Sequence, residues 1–162
     1  MRHWQGFSLI EGLIAIVVFS LGLLGLASVL LVTQRMSQTS KAETVAYTLA
    51  QDMSQRIVSN PLSSSTNVFI GDPVNCGSDT GCQNYSTLAA SDIAAWQSEV
   101  TAQLPGATAV ICRDDTPNDG SPGNTGCLST SDVNIPYTIK IWWQTPDSAG
   151  PQRYTQTFTV TS

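Results

Sequence analysis

The sequence predicts an α+β protein, in which one long N-terminal helix precedes a C-terminal antiparallel sheet. Two observations lead to this prediction. A continuous helical pattern occupies the first third of the chain, and two segments near the C-terminus alternate apolar and polar residues. A helix followed by antiparallel strands is the order expected when the helix packs on one face of the sheet.

Length and composition limit the domain organisation and the possible partners. The 162 residues are enough for one domain with a substantial core. Hydrophobic residues make up 41% of the chain and are concentrated in its first third, which indicates an apolar anchor joined to a polar body. The net charge of −5 leaves no basic footprint, so we expect no nucleic-acid partner.

The first half of the predicted helix is a candidate membrane span. No charged residue occurs from Gly12 to Val32, and a run of this length can cross a bilayer as a helix. Arg2 precedes the run, so the positive-inside rule places the N-terminus in the cytoplasm and the body outside. A cleavable signal peptide is the alternative, but the run exceeds the usual apolar core and no small-x-small site follows it.

The helical pattern continues beyond the apolar run as an amphipathic segment. We expect one helix from Phe7 to Asn60, which Pro61 ends. Its second half should pack against the soluble body through one apolar face. That face consists of Ala42, Ala46, Leu49, Met53 and Ile57. Gly22 and Gly25 weaken the helix; they either allow close packing against a neighbour or local melting of the helix, or are simply tolerated.

A loop and a second helix are predicted next. Turn signals and two cysteines indicate a loop over residues 61–87. A short helix then begins after Ser91, a favourable N-cap, and ends at Pro105-Gly106. Its apolar face consists of Ile93, Trp96, Val100 and Leu104.

Three strands complete the predicted fold. Ala107–Cys112 is a short apolar strand, and a polar loop follows over Asp114–Gly126. Tyr137–Trp143 alternates clearly, and so does the segment from Tyr154 to Val160. Because turn signals occupy the short connection between the last two strands, we expect them to form an antiparallel hairpin.

The four cysteines all follow the apolar run, and their even number predicts two disulfides in an oxidising compartment. Three pairings are possible. We favour Cys76–Cys82 and Cys112–Cys127, because each pair encloses a loop rich in Gly, Asn and Asp. A zinc site is the alternative, but no C-x-x-C occurs and His3 is the single histidine. We therefore expect no metal site at the cysteines.

No pattern of catalytic residues is found. The loop from Asp114 to Gly120 invites a calcium interpretation, but Pro117 and Gly126 occupy ligand positions of the EF-hand template. Another kind of oxygen cage remains open. Phosphate-binding loops and nucleophile elbows are absent from the sequence. We therefore predict a protein that is not an enzyme and that needs no cofactor.

Glu11 stands at the start of the apolar helix. A carboxylate at mid-bilayer costs about 2.5–3.5 kcal/mol on insertion scales, and less near the interface. A negative charge is also favoured near a helix N-terminus. Such a residue is usually functional and has a specific partner.

The segment Gly6-Phe7-Ser8-Leu9-Ile10-Glu11 resembles the prepilin processing motif of type IV pilins and type II secretion pseudopilins. The resemblance implies a leader of residues 1–6, cleavage between Gly6 and Phe7 by a prepilin peptidase, and N-methylation of Phe7. It also implies that Glu11 pairs with the terminal amine of a neighbouring subunit during assembly. A buried carboxylate and ammonium offset each other's desolvation only when both are present.

The domains then follow from the resemblance. Residues 7–33 form a hydrophobic transmembrane and assembly helix, and residues 34–162 form a periplasmic or extracellular pilin-like globular domain. The precursor would cross the inner membrane once, with its body in the periplasm, and the mature subunit would join a pilus at the cell surface. Other major and minor pilins are the implied partners.

Four further segments resemble the minor pilins known as type IV pilus modification protein, or PilV. These segments are residues 22–27, Ala42–Arg56, Asp92–Gly106 and Tyr137–Trp143. The resemblance implies a minor subunit that helps to initiate the pilus, in a complex near its tip. A type II secretion pseudopilin is one alternative. A single-span protein whose anchored domain binds an external ligand is another.

Overall fold

The computed structural model describes residues 9–70, 74–130, 132–145 and 148–160. Within these residues, two helices, a single 3-10 turn and three strands follow each other. They are α1 (Leu9–Ser59), the 3-10 turn (Val68–Ile70), α2 (Thr80–Gln103), β1 (Thr108–Arg113), β2 (Tyr137–Trp143) and β3 (Gln152–Phe158). The predicted α+β class is confirmed. The chain divides into two compact units, Met1–Lys41 and Ala42–Ser162.

Helix α1 is close to its predicted length. The sequence predicts a helix from Phe7 to Asn60, and the described helix runs from Leu9 to Ser59, two residues before Pro61. Phe7 lies outside the described residues. In the Ala42–Ser162 unit, α1 buries one stripe of side chains three or four residues apart. The stripe consists of Ala46, Leu49, Ala50, Met53, Ser54 and Ile57.

The predicted start of the second helix is wrong. Helix α2 begins at Thr80, inside the segment interpreted as a loop, and its N-cap is Asp79 rather than Ser91. The Asp79 carboxylate accepts hydrogen bonds from the backbone N–H groups of Gly81 and Cys82, at 2.9 and 3.2 Å. Ser91 instead donates to the carbonyl of Leu88 inside the helix. The first turns of α2 are polar, so they lack the apolar periodicity on which the prediction relied.

The predicted end of α2 is confirmed. Its C-cap is Leu104, whose backbone N–H donates to the carbonyl of Val100. Pro105 follows, and Gly106 adopts a positive φ of 59°. Glycine reaches this left-handed conformation without the steric cost of a side chain, which explains why the helix ends here.

The three strands form one antiparallel sheet in the order β1-β2-β3. The predicted hairpin is confirmed, with Ile139 of β2 opposite Gln156 of β3. β1 pairs with the other side of β2, where Ile111 lies opposite Ile139. β2 is therefore the central strand, and all seven of its residues are buried.

The hydrophobic core lies between the two helices and one face of β2. That face carries Tyr137, Ile139, Ile141 and Trp143. Trp96 joins the helices, since its indole N–H donates to the carbonyl of Leu49 at 2.9 Å. The opposite face of β2 carries Thr138, Lys140 and Trp142, which are also buried although they lie outside this core cluster. This second face positions the site described below.

Candidate functional site

The N-terminal half of α1 exposes a long apolar surface. From Leu9 to Val32, each large hydrophobic side chain of the helix is exposed. By length and composition, α1 is able to cross a membrane. An apolar surface of this extent marks a membrane or protein contact, because soluble proteins rarely expose large contiguous apolar patches.

The hydroxyl groups in this apolar segment find partners inside the helix. Each donates to a backbone carbonyl three or four residues earlier. The bonds run from Ser20 to Val17 at 2.8 Å, from Ser28 to Gly25 at 2.7 Å and from Thr33 to Val29 at 2.9 Å. Because these donors are satisfied within the helix, the segment can enter an apolar environment without leaving these hydroxyls unpaired.

Gly22 and Gly25 meet no neighbour inside the chain. A Cβ atom added at either glycine would find no atom within 4 Å outside the adjacent helix backbone. The fold of the single chain therefore does not require glycine at these positions. This open space is compatible with each explanation from the sequence, namely close packing against another molecule, local melting and simple tolerance.

Among the predicted processing and assembly residues, Glu11 is the one that the structure describes. Gly6 and Phe7 lie outside the described residues. Glu11 is in the first turn of α1 and is exposed. Its carboxylate is therefore available at the start of the apolar surface, where the positive end of the helix dipole favours a negative charge.

All four cysteines form disulfides. Cys76 is bonded to Cys82 and Cys112 to Cys127, with Cα–Cα distances of 5.4 and 5.8 Å. These are the two pairs favoured from the sequence. The first disulfide joins the start of α2 to the preceding segment, and the second closes the polar loop that follows β1.

A buried lysine contacts several groups of the loop that the Cys112–Cys127 disulfide closes. Lys140 projects from the central strand, and its side chain is completely buried. Its ammonium lies 2.5 Å from Asp114 Oδ2 and 2.8 Å from Asp119 Oδ1. It also donates to the carbonyl of Thr125 at 2.9 Å. Four oxygen atoms surround this ammonium, because the carbonyl of Asp119 lies within 3.3 Å as well.

The pKa values of this cluster follow from its contacts. Burial alone would lower the pKa of Lys140, but the hydrogen bonds to Asp114 and Asp119 outweigh it and raise that pKa above its ordinary value. The hydrogen bond from Lys140 lowers the pKa of Asp119. Both shifts favour the charged pair at neutral pH.

The oxygen atoms of the loop thus surround the Lys140 ammonium, whereas the cage that the sequence left open was one for a calcium ion. Within the described ranges, no group of three or more His, Cys, Asp or Glu side chains could hold a metal ion. The Lys140 ammonium lies between the carboxylates of Asp114 and Asp119 and offsets part of their combined negative charge. The loop is thus held by the sheet beneath it.

Arg153 of β3 holds the same loop from its exposed side. Its guanidinium donates to the carbonyls of Asn118 and Asp119, both at 2.7 Å. Two glycines with positive φ complete the loop, Gly120 at 85° and Gly126 at 71°. A Cβ atom at Gly120 would collide with the backbone of Thr125. The loop backbone is consequently packed closely upon itself.

A second cation, Arg113 at the end of β1, is also buried. Its Nε donates to Asn67 Oδ1 at 3.0 Å and its Nη1 to the carbonyl of Ile135 at 2.8 Å. The guanidinium carbon lies 3.6 Å from the centre of the Tyr137 ring. Burial lowers the pKa of Arg113 below its ordinary value, while Tyr137 and Asp132 act in the opposite direction.

The sequence patterns did not indicate Lys140, Arg113 or Arg153 as site residues. One signal was available, because Lys140 stands between two isoleucines in a strand of strongly apolar residues. A charged residue at such a position needs a partner when its strand is buried. The identity of that partner depends on the path of the loop, which the sequence pattern does not show.

The comparisons with known proteins concern the N-terminal segment. Residues 1–27 match the family model described as "Prokaryotic N-terminal methylation motif". The match covers the N-terminal 27 of the 162 residues and supports a type IV pilin-like N-terminal segment, which fits a membrane-anchored precursor. The comparison with curated proteins found no match, and neither did the comparison with solved structures.

Proposed function

We propose that the chain is the precursor of a minor type IV pilin. A prepilin peptidase would cut between Gly6 and Phe7, and Phe7 would then be N-methylated. Residues 7–33 would serve as membrane anchor and assembly helix, and residues 34–162 as the exported globular domain. The mature subunit would join other pilins in a filament, in a complex near the pilus tip.

One observation carries this proposal. The methylation motif of residues 1–27 heads a helix whose apolar side chains are exposed from Leu9 to Val32. The motif alone could match by chance at the start of an ordinary membrane anchor. An apolar helix alone could be the transmembrane segment of any single-span protein. Their combination fits a subunit that is first held in a membrane and then packed among other apolar helices.

The assembly step exchanges one apolar environment for another. In the membrane, lipid covers the exposed side chains of the helix. In a filament, neighbouring helices would cover them, so the transfer exposes little apolar surface to water. Specificity must therefore come from polar groups. The Glu11 carboxylate would pair with the methylated amine of an adjoining subunit, and each charge would offset the desolvation of the other.

The globular unit would determine which pilins adjoin the subunit. It would lie in the periplasm and later on the cell surface, where two disulfides are stable. The loop over residues 114–126, which Lys140 and Arg153 hold, presents backbone groups and polar side chains on one side of the sheet. A type II secretion pseudopilin has the same N-terminal motif, and it is the nearest alternative.

Processing is tested by the intact mass and N-terminal peptides of the protein from its native membrane fraction. We expect a chain that begins at methylated Phe7. Gly6→Ala should leave the full precursor, because the peptidase requires the residue before the cut. A wild-type chain that still begins at Met1, or one that begins beyond Val32, would contradict the proposal.

Assembly is tested by replacing Glu11 and measuring the subunit in sheared surface filaments. Glu11→Ala should abolish incorporation while processing at Gly6 continues, because the terminal amine loses its partner. Glu43→Ala is the matched control, since this exposed glutamate lies in the same helix beyond the apolar segment. Presence of the wild-type chain in membranes but never in surface filaments would favour the pseudopilin alternative.

A further inference from the structure

One cation in the globular unit is buried without a counter-ion. Arg113 is 1% exposed, and within the described residues no carboxylate forms an ion pair with it. Two of its three nitrogens have hydrogen-bond acceptors. The third, Nη2, is buried and has no hydrogen-bond partner in the described part of the chain.

Two other cations of this unit have carboxylate partners, whereas the exposed Arg153 donates to backbone carbonyls. Lys140 meets two carboxylates, and Arg56 contacts Asp52 and Asp92, both at 2.9 Å. Arg113 has two neutral oxygens and the Tyr137 ring. Buried charges in proteins are normally paired, because neutral acceptors offset only part of their desolvation. Among the described residues, Arg113 therefore has no carboxylate in direct contact, and Asp132 acts on it only at longer range.

A cavity lies beside this guanidinium. Its volume is about 410 Å³, and Arg113 lines it together with Ser64, Asn134 and Thr159. These groups can donate hydrogen bonds, and among the described residues no acidic side chain lines the cavity. The nearby Asp132 is engaged elsewhere, since its carboxylate accepts from the backbone and side-chain N–H groups of Asn134 at 2.9 and 2.8 Å.

We propose that this cavity is a binding site for a single carboxylate, which pairs with the guanidinium of Arg113. The planar guanidinium suits a carboxylate because its parallel N–H groups match the two oxygens. The carboxylate comes either from a small free acid or from an aspartate or glutamate of an adjoining protein. The proposal is independent of the pilin assignment, because it rests on the globular unit alone.

The first arm of the test measures thermal unfolding of the full chain in detergent, in 100 mM sodium acetate against sodium chloride of equal ionic strength. For a site with a Kd of about 10 mM, acetate should raise the Tm by about 4 °C. Arg113→Gln should remove this shift. Arg56→Gln is the matched control and should retain it, because Arg56 already has two carboxylate partners.

The second arm supplies the carboxylate from the cavity wall. Ser64→Asp places an acidic group in the lining, and Ser64→Asn is its matched neutral control. We expect the aspartate variant to have the higher Tm and to show no acetate shift. If Arg113→Gln does not fold, the comparison of Ser64→Asp with Ser64→Asn still tests the proposal.

The outcomes distinguish the two sources of the carboxylate, a free acid and a protein side chain. An acetate shift that is lost in Arg113→Gln or in Ser64→Asp identifies a free carboxylate as sufficient. No acetate shift, together with a Tm of Ser64→Asp at least 3 °C above that of Ser64→Asn, shows that the cavity accepts a carboxylate held by a polypeptide chain and not a free one. Equal Tm values for the Ser64 pair without an acetate effect would overturn the proposal, as would an acetate shift that persists in Arg113→Gln.

Discussion

At the scale of single residues, the most consequential feature is a lysine in the middle of a buried strand. Lys140 and Asp114 are both fully buried, and each neutralises the other. Such pairs contribute little relative to well-packed apolar residues, but removing one member leaves an unpaired charge inside the protein. The stability of the sheet face opposite the core therefore depends on both partners.

Replacing Lys140 should be strongly destabilising. Lys140→Met keeps most of the side-chain volume but leaves the Asp114 carboxylate buried without its cation, so we expect a loss of about 3 kcal/mol in the free energy of unfolding. Urea denaturation of the full chain measures this loss. Lys41→Met, at an exposed position of α1, should change stability by less than about 0.5 kcal/mol.

A double variant separates charge from packing. Lys140→Met combined with Asp114→Asn removes both charges, so it should recover part of the loss seen in Lys140→Met. A double variant no more stable than the single one would mean that the lysine acts through packing and its carbonyl contacts instead.

At the scale of elements, the disulfide loop after β1 is a defined structure rather than a loose connection. Lys140 holds it from β2, and Arg153 holds it from β3. A two-residue turn lies inside it, with Ser121 bridged to Asn124. Positive φ angles at two glycines let the backbone close around the ammonium. The loop is thus specified by backbone geometry as well as by charge.

The glycines of this loop should differ sharply in how well they tolerate substitution by alanine. Gly120→Ala should cost about 2 kcal/mol or more, because φ is positive there and the new Cβ would collide with Thr125. Gly123→Ala is the matched control three residues away, where a Cβ would meet no atom within 4 Å. It should change stability by less than about 0.5 kcal/mol. Thermal unfolding compares the two, and equal losses would contradict this account.

At the scale of the whole molecule, the two units have different physical requirements. The Met1–Lys41 unit contains an exposed apolar helix segment that needs lipid or protein around it. The Ala42–Ser162 unit has its own core, two disulfides and the buried ion pair of Lys140 and Asp114. Its stability should therefore respond to pH through those charges.

The globular unit should lose stability at alkaline pH. The pKa of Lys140 is higher in the folded than in the unfolded state, so its contribution is complete below the unfolded value of about 10.4. It is lost as the pH rises through the higher folded value. Thermal unfolding between about pH 9 and pH 11.5 should show the Tm of the wild type falling towards that of Lys140→Met.

Lys140→Met also provides the control for the other side chains that titrate in this pH range. Burial raises the pKa of Tyr154, which likewise removes stability as the pH rises, and this contribution is common to both proteins. The difference between their Tm values isolates Lys140. A difference that stays constant across this pH range would show that the ammonium does not titrate with unfolding.

Local patterns in the sequence were sufficient for much of the fold. The helix end at Ser59, the end of α2 before Pro105 and the hairpin of β2 and β3 each follow from periodicity, proline or turn residues acting over a few positions. The start of α2 was missed because its first turns are polar and a single cap, Asp79, defines them.

The apolar anchor and the class of fold can be read from the sequence alone, since helix and strand periodicity are properties of consecutive residues. Which charges would be buried, and with what partners, depended on tertiary structure. The oxygen atoms around Lys140 come from residues 15 to 26 positions away, and Arg113 reaches Asn67 across 46 positions. Such contacts form only when strand register and loop closure bring distant residues together, and no local pattern encodes that meeting.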